Sequence, residues 1–320
     1  MKKSLLCIGD INGDLVVPYG QMLSAIRQCE AGGSPQVPHV AFQPGGSVTN
    51  TCLALAKLGE QPELLGKVGS DGNGEALLKQ LEGQGVRTGR VLQGGGATFI
   101  VIVVLDEQGE RIMFPWMPAG ACDGCFTAGE TDRFDAESCG WIHTSGLALK
   151  GEGEHEQELI RFLRRCKQNG AVLSFDLNIR PESLGFTPGR KELFYEVAAM
   201  SDYIFGSGTD ELGTMTGVFS IRQAAVQLAK ESGAAVVARD GAHPVLLIQD
   251  GTVQEFPLFP VQQLHKVGAG DSFNAGFIAC MRAGGSAERA VRWGNRCAAH
   301  TISHTQPMSV PPRAELDHLM

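Results

Sequence analysis

A glycine turn that leads into a helix stands near the end of the sequence and carries a carboxylate. Residues 268–271 read Gly-Ala-Gly-Asp, and large apolar side chains recur at helical spacing from Phe273 to Met281. The run stops at Gly284 and Gly285, which is typical of a helix C-terminus. The backbone N–H groups of the glycine turn therefore have no partner within the helix. Together with the positive end of the helix dipole, they form a seat for an anion such as phosphate.

The carboxylate in this anion seat predicts a reaction rather than binding alone. A negative side chain repels bound phosphate, so Asp271 makes sense if it accepts a proton from a hydroxyl group that attacks the phosphorus. The N–H groups of Ala269, Gly270 and Asp271 would then stabilise the charge on the transferring group. The alternative is a plain helix cap, because glycine and aspartate are both common where helices begin.

The same segment resembles the second signature of the ribokinase-like (PfkB) carbohydrate kinase family, which reads Asp-Thr-x-Gly-Ala-Gly-Asp. The match covers Gly-Ala-Gly-Asp, whereas His265 and Lys266 stand where Asp and Thr are usual. The resemblance implies that Asp271 is the general base and that Gly268, Ala269 and Gly270 form the anion hole. It also implies that Gly268 and Gly270 contact the nucleotide. It also implies ATP and Mg²⁺ as the partners of the reaction.

The unusual start of this signature bears on a monovalent cation. In the family, the first Asp of the signature helps to hold such a cation beside the anion seat, and His265 replaces that Asp here. We hypothesise that the ammonium group of Lys266 takes over part of the cation's electrostatic role, so that activity depends little on potassium. The alternative is that Lys266 points to solvent.

Polar residues also follow the first predicted strand, which runs from Leu5 to Gly9. Asn12 and Asp14 are two residues apart, so in an extended backbone they share a face. Their amide and carboxylate suit sugar hydroxyls, which both donate and accept hydrogen bonds, and open α/β sheets bind ligands beyond the carboxyl ends of their strands. The alternative is a turn, since Asn-Gly and Gly-Asp favour turns. The resemblance favours the sugar site, where the family carries Asn-x-Asp.

A second glycine pair, Gly45 and Gly46, precedes an apolar stripe at helical spacing that Gly59 closes. Ser47 is a plausible N-cap of this helix. The pair resembles the first signature of the family, in which Gly-Gly is followed by Asn at the start of a helix. The resemblance implies that the glycine backbone and Asn50 hold sugar hydroxyls.

Three further regions carry what the resemblance implies about ATP and magnesium. Glu211 matches the Glu of the family's Asn-x-x-Glu motif, which organises Mg²⁺ and water, but Gly208 replaces the Asn. Arg239 and Gly241 lie where the family has a glycine-rich nucleotide loop, and a guanidinium group matches phosphate oxygens well. Asn295 lies on a helix that resembles the one beside the adenine pocket.

Strands alternate with helices through the second half of the chain, which predicts a doubly wound, mostly parallel α/β sheet with helices on both faces. Two β-branched runs, Thr98 to Leu105 and Arg111 to Trp116, flank a polar loop and indicate a hairpin. In the family such strands form a lid that excludes water from the sugar; the alternative is an edge hairpin of the main sheet. We expect one domain over residues 1–320, with lid segments at about 11–44 and 96–118 through which a homodimer is possible.

Composition limits the classes of partner. The chain has 320 residues, 43% of them hydrophobic, and a net charge of −8, which argues against nucleic acid. Its apolar runs are too short for a signal peptide or a membrane span, so we expect a cytoplasmic protein. Its nine cysteines are odd in number and scattered, which favours free thiols. The lone Cys-x-x-Cys at 122–125 lacks the second ligand pair of a zinc site.

These features predict an ATP-dependent kinase that phosphorylates a hydroxyl of a small sugar, such as fructose, ribose or a 2-keto-3-deoxy sugar acid. A sugar acid would need a cation in the pocket, for which Arg111 and Arg180 are candidates. A nucleoside kinase of the same family and a catalytically weakened relative that binds sugar or nucleotide remain alternatives. The sequence has no Gly-x-x-x-x-Gly-Lys-[Ser/Thr] loop, which excludes a P-loop kinase, and no Gly-x-Gly-x-x-Gly after its first strand, which argues against a nicotinamide-dependent oxidoreductase.

Overall fold

Short apolar runs form strands and amphipathic runs form helices in regular alternation along the chain. The structure, a computed structural model, describes residues 3–36, 38–106, 111–116 (Arg111 by its backbone alone), 122, 124–305 and 308–319. The strands, in chain order, are β1 Ser4–Ile8, β2 Asn12–Val17, β3 Ala41–Gly45, β4 Pro62–Leu65, β5 Lys67–Gly69, β6 Leu92–Gly94, β7 Ile100–Leu105, β8 Arg111–Trp116, β9 Cys139–Ser145, β10 Val172–Asp176, β11 Tyr203–Ser207, β12 Ala235–Asp240, β13 His243–Gln249 and β14 Thr252–Phe256. The helices are α1 Tyr19–Glu30, α2 Ser47–Lys57, α3 Gly72–Gly83, α4 Glu154–Gln168, α5 Pro181–Leu184, α6 Pro188–Met200, α7 Thr214–Thr216, α8 Ile221–Ser232, α9 Ala269–Arg282, α10 Ala287–Ile302 and α11 Arg313–Asp317.

In the described part of the chain, the central sheet has eight strands in the order β14-β13-β12-β11-β10-β9-β1-β4. The strands from β12 to β4 in that order run parallel, and β13 and β14 add an antiparallel hairpin at one edge. The direction of winding reverses at β1, which lies between β9 and β4. Open α/β sheets bind ligands beside such a reversal. The predicted doubly wound, mostly parallel fold is confirmed.

A separate sheet, which we call the lid sheet, contains four described strands in the order β3-β2-β7-β8. β7 and β8 form the predicted antiparallel hairpin, and this hairpin belongs to the lid sheet rather than to the edge of the central sheet. β8 is an edge strand, and its large apolar side chains are about half exposed: Ile112, Met113, Phe114 and Trp116. Residues 107–110 of the hairpin loop and 117–118 at the end of the expected lid segment lie outside the described residues.

Helix α9 is anchored by two phenylalanines on its buried face. Phe273 and Phe277 are 1% and 0% exposed, and their rings lie edge-on to Phe205 of β11 at centroid distances of 6.2 and 5.2 Å. Burial of each ring contributes roughly 1.5–3 kcal/mol. Gly276 lets α10 approach α9 closely, since a Cβ there would lie 2.8 Å from the carbonyl oxygen of Trp293. This packing fixes where the first turn of α9 lies.

Local structure departs from the sequence-based expectations at several places. Helix α1 was not predicted, because its apolar residues form a weak stripe and Tyr19 and Ile26 are about half exposed. Strand β12 continues through Arg239 to Asp240, where a loop was expected. The segment Gly208–Gly213, which carries Glu211, forms one π-helical turn.

The nine cysteines are all free thiols, as the composition predicted. Among the described residues, no group of three or more His, Cys, Asp or Glu side chains is placed to hold a metal ion. A search of the same residues for a helix that is both long and apolar enough to cross a bilayer also finds none.

Candidate active site

Asp10, directly after β1, caps the start of α2. Its Oδ2 accepts a hydrogen bond from the backbone N–H of Ser47 at 2.8 Å, and its Oδ1 accepts one from that of Val48 at 3.4 Å. The N-cap position itself is Gly46, whose φ of 106° favours glycine. The expectation that Ser47 is the N-cap is therefore wrong, because Gly46 is the N-cap and the side chain of Asp10, from the segment between β1 and β2, accepts the hydrogen bonds. The hydroxyl of Ser47 is used elsewhere.

Two side chains of α2 hold the carboxylate of Asp271. The hydroxyl of Ser47 donates to Oδ1 at 2.7 Å, and the amide Nδ2 of Asn50 donates to Oδ2 at 3.0 Å. The hydroxyl of Thr51 also donates to the backbone oxygen of Asp271 at 3.3 Å. The start of α2 thus faces the start of α9, and the structure brings together two predicted residues that are 221 positions apart.

Burial raises the pKa of Asp271 to about 7. The hydrogen bonds from Ser47 and Asn50 favour the charged form, but the negative charges of Asp176 and Asp10 disfavour it. A carboxyl group of ordinary pKa would be fully ionised at neutral pH and a weak base. With a pKa near 7, the carboxylate of Asp271 is a much stronger proton acceptor and is still partly ionised at neutral pH.

The anion seat is built by Gly268, the N-cap of α9. Its φ of 76° places it in the left-handed region, and a Cβ there would lie 2.6 Å from the Sδ of Met308. The first helical bond runs from the backbone N–H of Ser272 to the carbonyl oxygen of Gly268 at 2.9 Å. The N–H groups of Ala269, Gly270 and Asp271 therefore precede the first donor that the helix uses, and helix geometry gives them no partner within it.

The predicted sugar ligands lie together where the lid sheet meets α2. Asn12 is paired with Gly45 across β2 and β3, and its amide donates to Oδ1 of Asp14 at 2.7 Å. Both glycines are required by their neighbours: a Cβ on Gly45 would lie 2.2 Å from Oδ1 of Asp14, and one on Gly46 would lie 2.6 Å from the carbonyl oxygen of Asp10. Asn12 and Asp14 thus share a face, as their spacing predicted.

A cleft opens beyond the end of β1, next to the residue that precedes β7 and to residues that follow β9. Its lining includes Asp10, Ile11, Phe99, Lys150 and His155. The cleft therefore combines an apolar face with one carboxylate and one ammonium group. Lys150 was not singled out from the sequence. Arg111 and Arg180 were the two cations predicted from the sequence to bind a sugar acid. Arg180 is exposed, and its Nε donates to Oδ1 of Asn178 at 2.8 Å. The side chain of Arg111 lies outside the described residues.

Glu211 is the second acidic side chain whose pKa is raised. Burial and the negative charge of Asp176 together raise the pKa of Glu211 to about 7, against the opposing effects of Arg239 and the N–H of Ser207. That N–H donates to Oε2 at 2.7 Å. Gly208 has a φ of 56°, a conformation that asparagine also tolerates, so the departure from Asn at this position is not forced by the backbone.

The other residues predicted to contact nucleotide are placed as follows. Arg239 directs both of its Nη atoms inward, toward Asp176 and the first turn of α9. Gly241, with a φ of 53°, forms the tight turn between β12 and β13. Asn295 is buried on α10, and its amide donates to the carbonyl oxygen of Pro257 at 3.3 Å.

The two unusual residues before the anion seat differ in their surroundings. The Nε2 of His265 lies 2.8 Å from the carbonyl oxygen of His304, so this imidazole ties the segment to the end of α10. The side chain of Lys266 is exposed. The hypothesis that its ammonium group replaces a cation remains a prediction.

The order of these residues along the chain is that of a known family. The family model for pfkB carbohydrate kinases matches residues 2–314. The chain belongs to this family. Its activity class is that of an ATP-dependent sugar kinase, as the resemblance implied.

Individual relatives agree with this assignment. A fructokinase from Vibrio alginolyticus is 27% identical over 281 residues, which cover 85% of this chain and 90% of that protein. Among solved structures, fructokinase from Vibrio cholerae O395 in its fructose-, ADP- and calcium-bound form has a TM-score of 0.80 at 23% identity and covers 99% of both chains. Fructokinase with bound ATP from Xylella fastidiosa has a TM-score of 0.79 at 21% identity and covers 100% of this chain and 98% of that one. The structural likenesses show a shared fold.

Four residues of this kinase's site were not assigned to it from the sequence: Asp10, Ser47, Asp176 and Asn274. A signal existed for Asp10 and Asp176, since each lies at the carboxyl end of a predicted strand. No such signal exists for Ser47 and Asn274, whose partners are 224 and 98 positions away. Contacts of that kind depend on how the helices pack.

Proposed function

We propose that this kinase transfers the γ-phosphoryl group of ATP to a hydroxyl group of a small sugar, with Asp271 as the general base. One observation carries the proposal: the carboxylate of Asp271 lies at the start of α9, next to backbone N–H groups that the helix does not use, and its pKa is raised to about 7. A base is most effective when its pKa lies near the working pH.

In the proposed reaction, Asp271 accepts the proton of the sugar hydroxyl while the hydroxyl oxygen forms a bond to the γ-phosphorus. The bond from that phosphorus to the bridging oxygen breaks, and ADP leaves with the electron pair. Ser47 and Asn50 fix the orientation of the carboxylate. The N–H groups of the first turn of α9 stabilise the charge on the transferring oxygens, because they are already oriented before the reaction begins.

The sugar itself would be held by Asn12, Asp14, Asn50 and the backbone of Gly45 and Gly46. The amide and carboxylate groups match hydroxyls that donate and accept. Asn12, Asp14 and Gly45 belong to the lid sheet, which would cover the bound sugar. Exclusion of water matters because water competes with the sugar for the phosphoryl group.

Magnesium bound with ATP would neutralise charge on the phosphates. The residues fit this ion in a limited way: Glu211 offers a hard oxygen ligand, and Mg²⁺ usually keeps several waters and few protein ligands in nucleotide sites. We propose that Glu211 holds the ion through water, as the resemblance implies.

The proposal is tested by ADP release over a panel of fructose, ribose, a 2-keto-3-deoxy sugar acid and a nucleoside. The sugar acid belongs on the panel because Lys150 lines the cleft. We expect one sugar to drive turnover and, with a non-hydrolysable ATP analogue, to raise the melting temperature by mass action. Turnover with the nucleoside alone would support a nucleoside kinase. Thermal shifts without ADP release from any compound would support the non-catalytic relative.

The lid sheet is also the proposed surface of a homodimer. An exposed apolar edge strand offers both unpaired backbone groups and apolar side chains to a second copy. Light scattering should give twice the chain mass, and Met113→Lys with Phe114→Glu should return the monomer. A wild-type protein that is monomeric at tens of micromolar would contradict this proposal.

A further inference from the structure

The guanidinium group of Arg239 lies beneath the anion seat rather than in the cleft. Its Nη1 donates to the carbonyl oxygen of Gly270 at 3.1 Å and to Oδ1 of Asn274 at 3.0 Å, and its Nη2 donates to Oδ1 of Asp176 at 3.0 Å. The side chains of Arg239 and Asp176 are only 12% and 5% exposed. The ion pair is therefore part of the protein interior directly behind the first turn of α9.

Asp176 and Asn274 hold this guanidinium in one orientation. The amide of Asn274 donates to Oδ2 of Asp176 at 2.6 Å, which closes a three-membered network with Arg239. The guanidinium also lies over the rings of Phe205 and Phe273, with centroid distances of 5.9 and 5.6 Å. Three elements are joined in this way: β10 through Asp176, β12 through Arg239 and α9 through Asn274.

Gly270 permits the approach of the guanidinium. A Cβ at position 270 would lie 3.1 Å from Nη1 of Arg239, closer than ordinary side-chain contacts. Glycine at position 270 thus has two reasons. It leaves room for the guanidinium group on one side of the helix start, and it lets an anion approach the backbone on the other side.

The carbonyl of Gly270 and the N–H of Asp271 are the two ends of one peptide plane. In a helix, the carbonyl points along the helix and the N–H points back toward its start, here into the anion seat. A cation that bonds to the carbonyl oxygen fixes that plane and draws electron density from the amide nitrogen. The N–H at the other end becomes a stronger donor, and this polarisation is greater in a weakly screened interior.

We infer that Arg239 is a positioning residue of the phosphoryl-transfer site, which acts on the anion seat through the Gly270–Asp271 peptide and not by contact with ATP. This inference rests on the proposed function, in which that seat holds the transferring group. It also gives Asp176 a role, which is to keep the guanidinium aimed at Gly270.

Loss of Arg239 should affect kcat more than KM, because the anion seat would act mainly on the transition state. Arg239→Met should lower kcat by about 10–100-fold, the usual cost of losing a group that orients another, and should change KM for ATP by less than about threefold. Arg239→Lys should retain more activity than Arg239→Met, since an ammonium group can still bond to one acceptor. Asp176→Asn should lower kcat with the same pattern and carries the test if Arg239→Met does not fold.

Arg161→Met is the matched control. It removes an arginine that pairs with a buried carboxylate, Glu158, at 2.8 Å, and neither of these two residues lines the cleft or the anion seat. We expect a lower melting temperature and unchanged kcat. A raised KM for ATP with unchanged kcat in Arg239→Met would overturn the inference and favour direct contact with the nucleotide. Unchanged kcat and KM with only a lower melting temperature would reduce the ion pair to a structural role.

A second readout does not depend on turnover. The backbone amide proton of Asp271 should move upfield in Arg239→Met, since it loses polarisation, and should not move in Arg161→Met. If the wild-type protein released no ADP with any sugar, the proposed function would fail, and this resonance would still decide the inference. An Asp271 amide that stays in place when Arg239 is removed contradicts it.

Discussion

Asp271 and Glu158 are both acidic side chains removed from bulk water, and their pKa values shift in opposite directions. Burial raises the pKa of Asp271 to about 7. Burial acts in the same sense on Glu158, but hydrogen bonds from Thr131, Arg161 and Gly129 outweigh it and lower the pKa of Glu158 to about 2. At Glu158 the hydrogen-bond partners outweigh the effect of burial on the pKa, and at Asp271 they do not.

The carboxylate of Glu158 has the partners of a side chain that stabilises the fold. Its two oxygens accept from the backbone N–H groups of Gly129 and Thr131 at 3.1 and 2.9 Å, and they also pair with the guanidinium of Arg161. The side chain of Asp271 is held by two neutral donors, Ser47 and Asn50, and other carboxylates lie nearby. A carboxylate that is saturated with donors and a cation stabilises the fold, whereas one that is poorly compensated is ready to take a proton.

The largest expected difference between the two residues is in turnover. Asp271→Asn keeps the shape of the side chain but removes the base, so kcat should fall by roughly 10²–10⁴-fold, the usual worth of a general base. Sugar-dependent ADP release measures it, with circular dichroism as the check that the fold is intact. Glu158→Gln is the control and should keep kcat within about twofold, because it lies outside the site. Equal losses of kcat in both variants would contradict the assignment of Asp271 as the base and of Glu158 as a structural carboxylate.

The next effect is on stability as a function of pH, and its sign differs between the two sites. The raised pKa of Asp271 means that folding favours its protonated form, so its contribution is fully present below pH 3.8 and is lost as pH rises through about 7. The lowered pKa of Glu158 gives a contribution that is present above pH 4.5 and lost as pH falls toward about 2.

At pH 8, therefore, Asp271→Asn should unfold at higher urea concentration than the wild type. Its free energy of unfolding should be greater by roughly 1–3 kcal/mol, and this gain should shrink toward pH 4. Glu158→Gln should be destabilised by about 1–3 kcal/mol at pH 8, because buried donors lose their acceptor. Urea unfolding at pH 4, 6 and 8 measures both. If Asp271→Asn were less stable than the wild type at pH 8, Asp271 would be a structural carboxylate like Glu158.

A smaller effect is expected from Ser47→Ala. Its hydroxyl donates to Asp271 and lowers the pKa of that carboxyl, so its removal should move the acidic limb of kcat/KM to higher pH. The shift should be about one to two pH units, since one hydrogen bond to a charged group is worth about 1.5–3 kcal/mol. The matched variant Thr51→Ser keeps a hydroxyl on the same helix and should leave the limb in place.

The smallest expected effect is the response to potassium. With His265 bonded to His304 and no Asp at this position, we expect kcat to change by less than about twofold between sodium and potassium buffers of equal ionic strength, since screening by the two salts is the same. Strong activation of the wild type by potassium would show that a cation site persists beside the anion seat.

Much of the fold could be predicted from the sequence because its signals are local. The helical stripe from Phe273, the glycine pair at 45–46 and the strand spacing after residue 141 indicated the α/β class. The two β-branched runs, Thr98 to Leu105 and Arg111 to Trp116, predicted the hairpin of the lid sheet. Helix α1 could not be predicted, since its apolar stripe is weak and half exposed. The same reasoning identified Asn50 and Asp271 separately, and the hydrogen bond between them requires the packing of α2 on α9.

Residues whose role depends on a distant partner could not be placed in this way. Arg239 was assigned to phosphate by its charge and position, yet its inward direction depends on Asp176, which lies 63 positions earlier in the chain. Serine is a residue type that often caps helices, but at the start of α2 the carboxylate of Asp10 accepts the hydrogen bonds of the cap. The hydroxyl of Ser47 therefore bonds to Asp271 instead. Residue type gives the available chemistry, and only tertiary structure gives the partner.

The most direct test of the account is a titration of side-chain carboxyl groups by carbon-13 NMR between pH 4 and 9, with Asp271→Asn and Glu158→Gln as assignment controls. We expect the Asp271 resonance to titrate with a midpoint near pH 7 and the Glu158 resonance to stay that of an ionised carboxylate down to pH 4. An Asp271 resonance that is already fully ionised at pH 6 would contradict the claim that this carboxylate is poised to accept a proton.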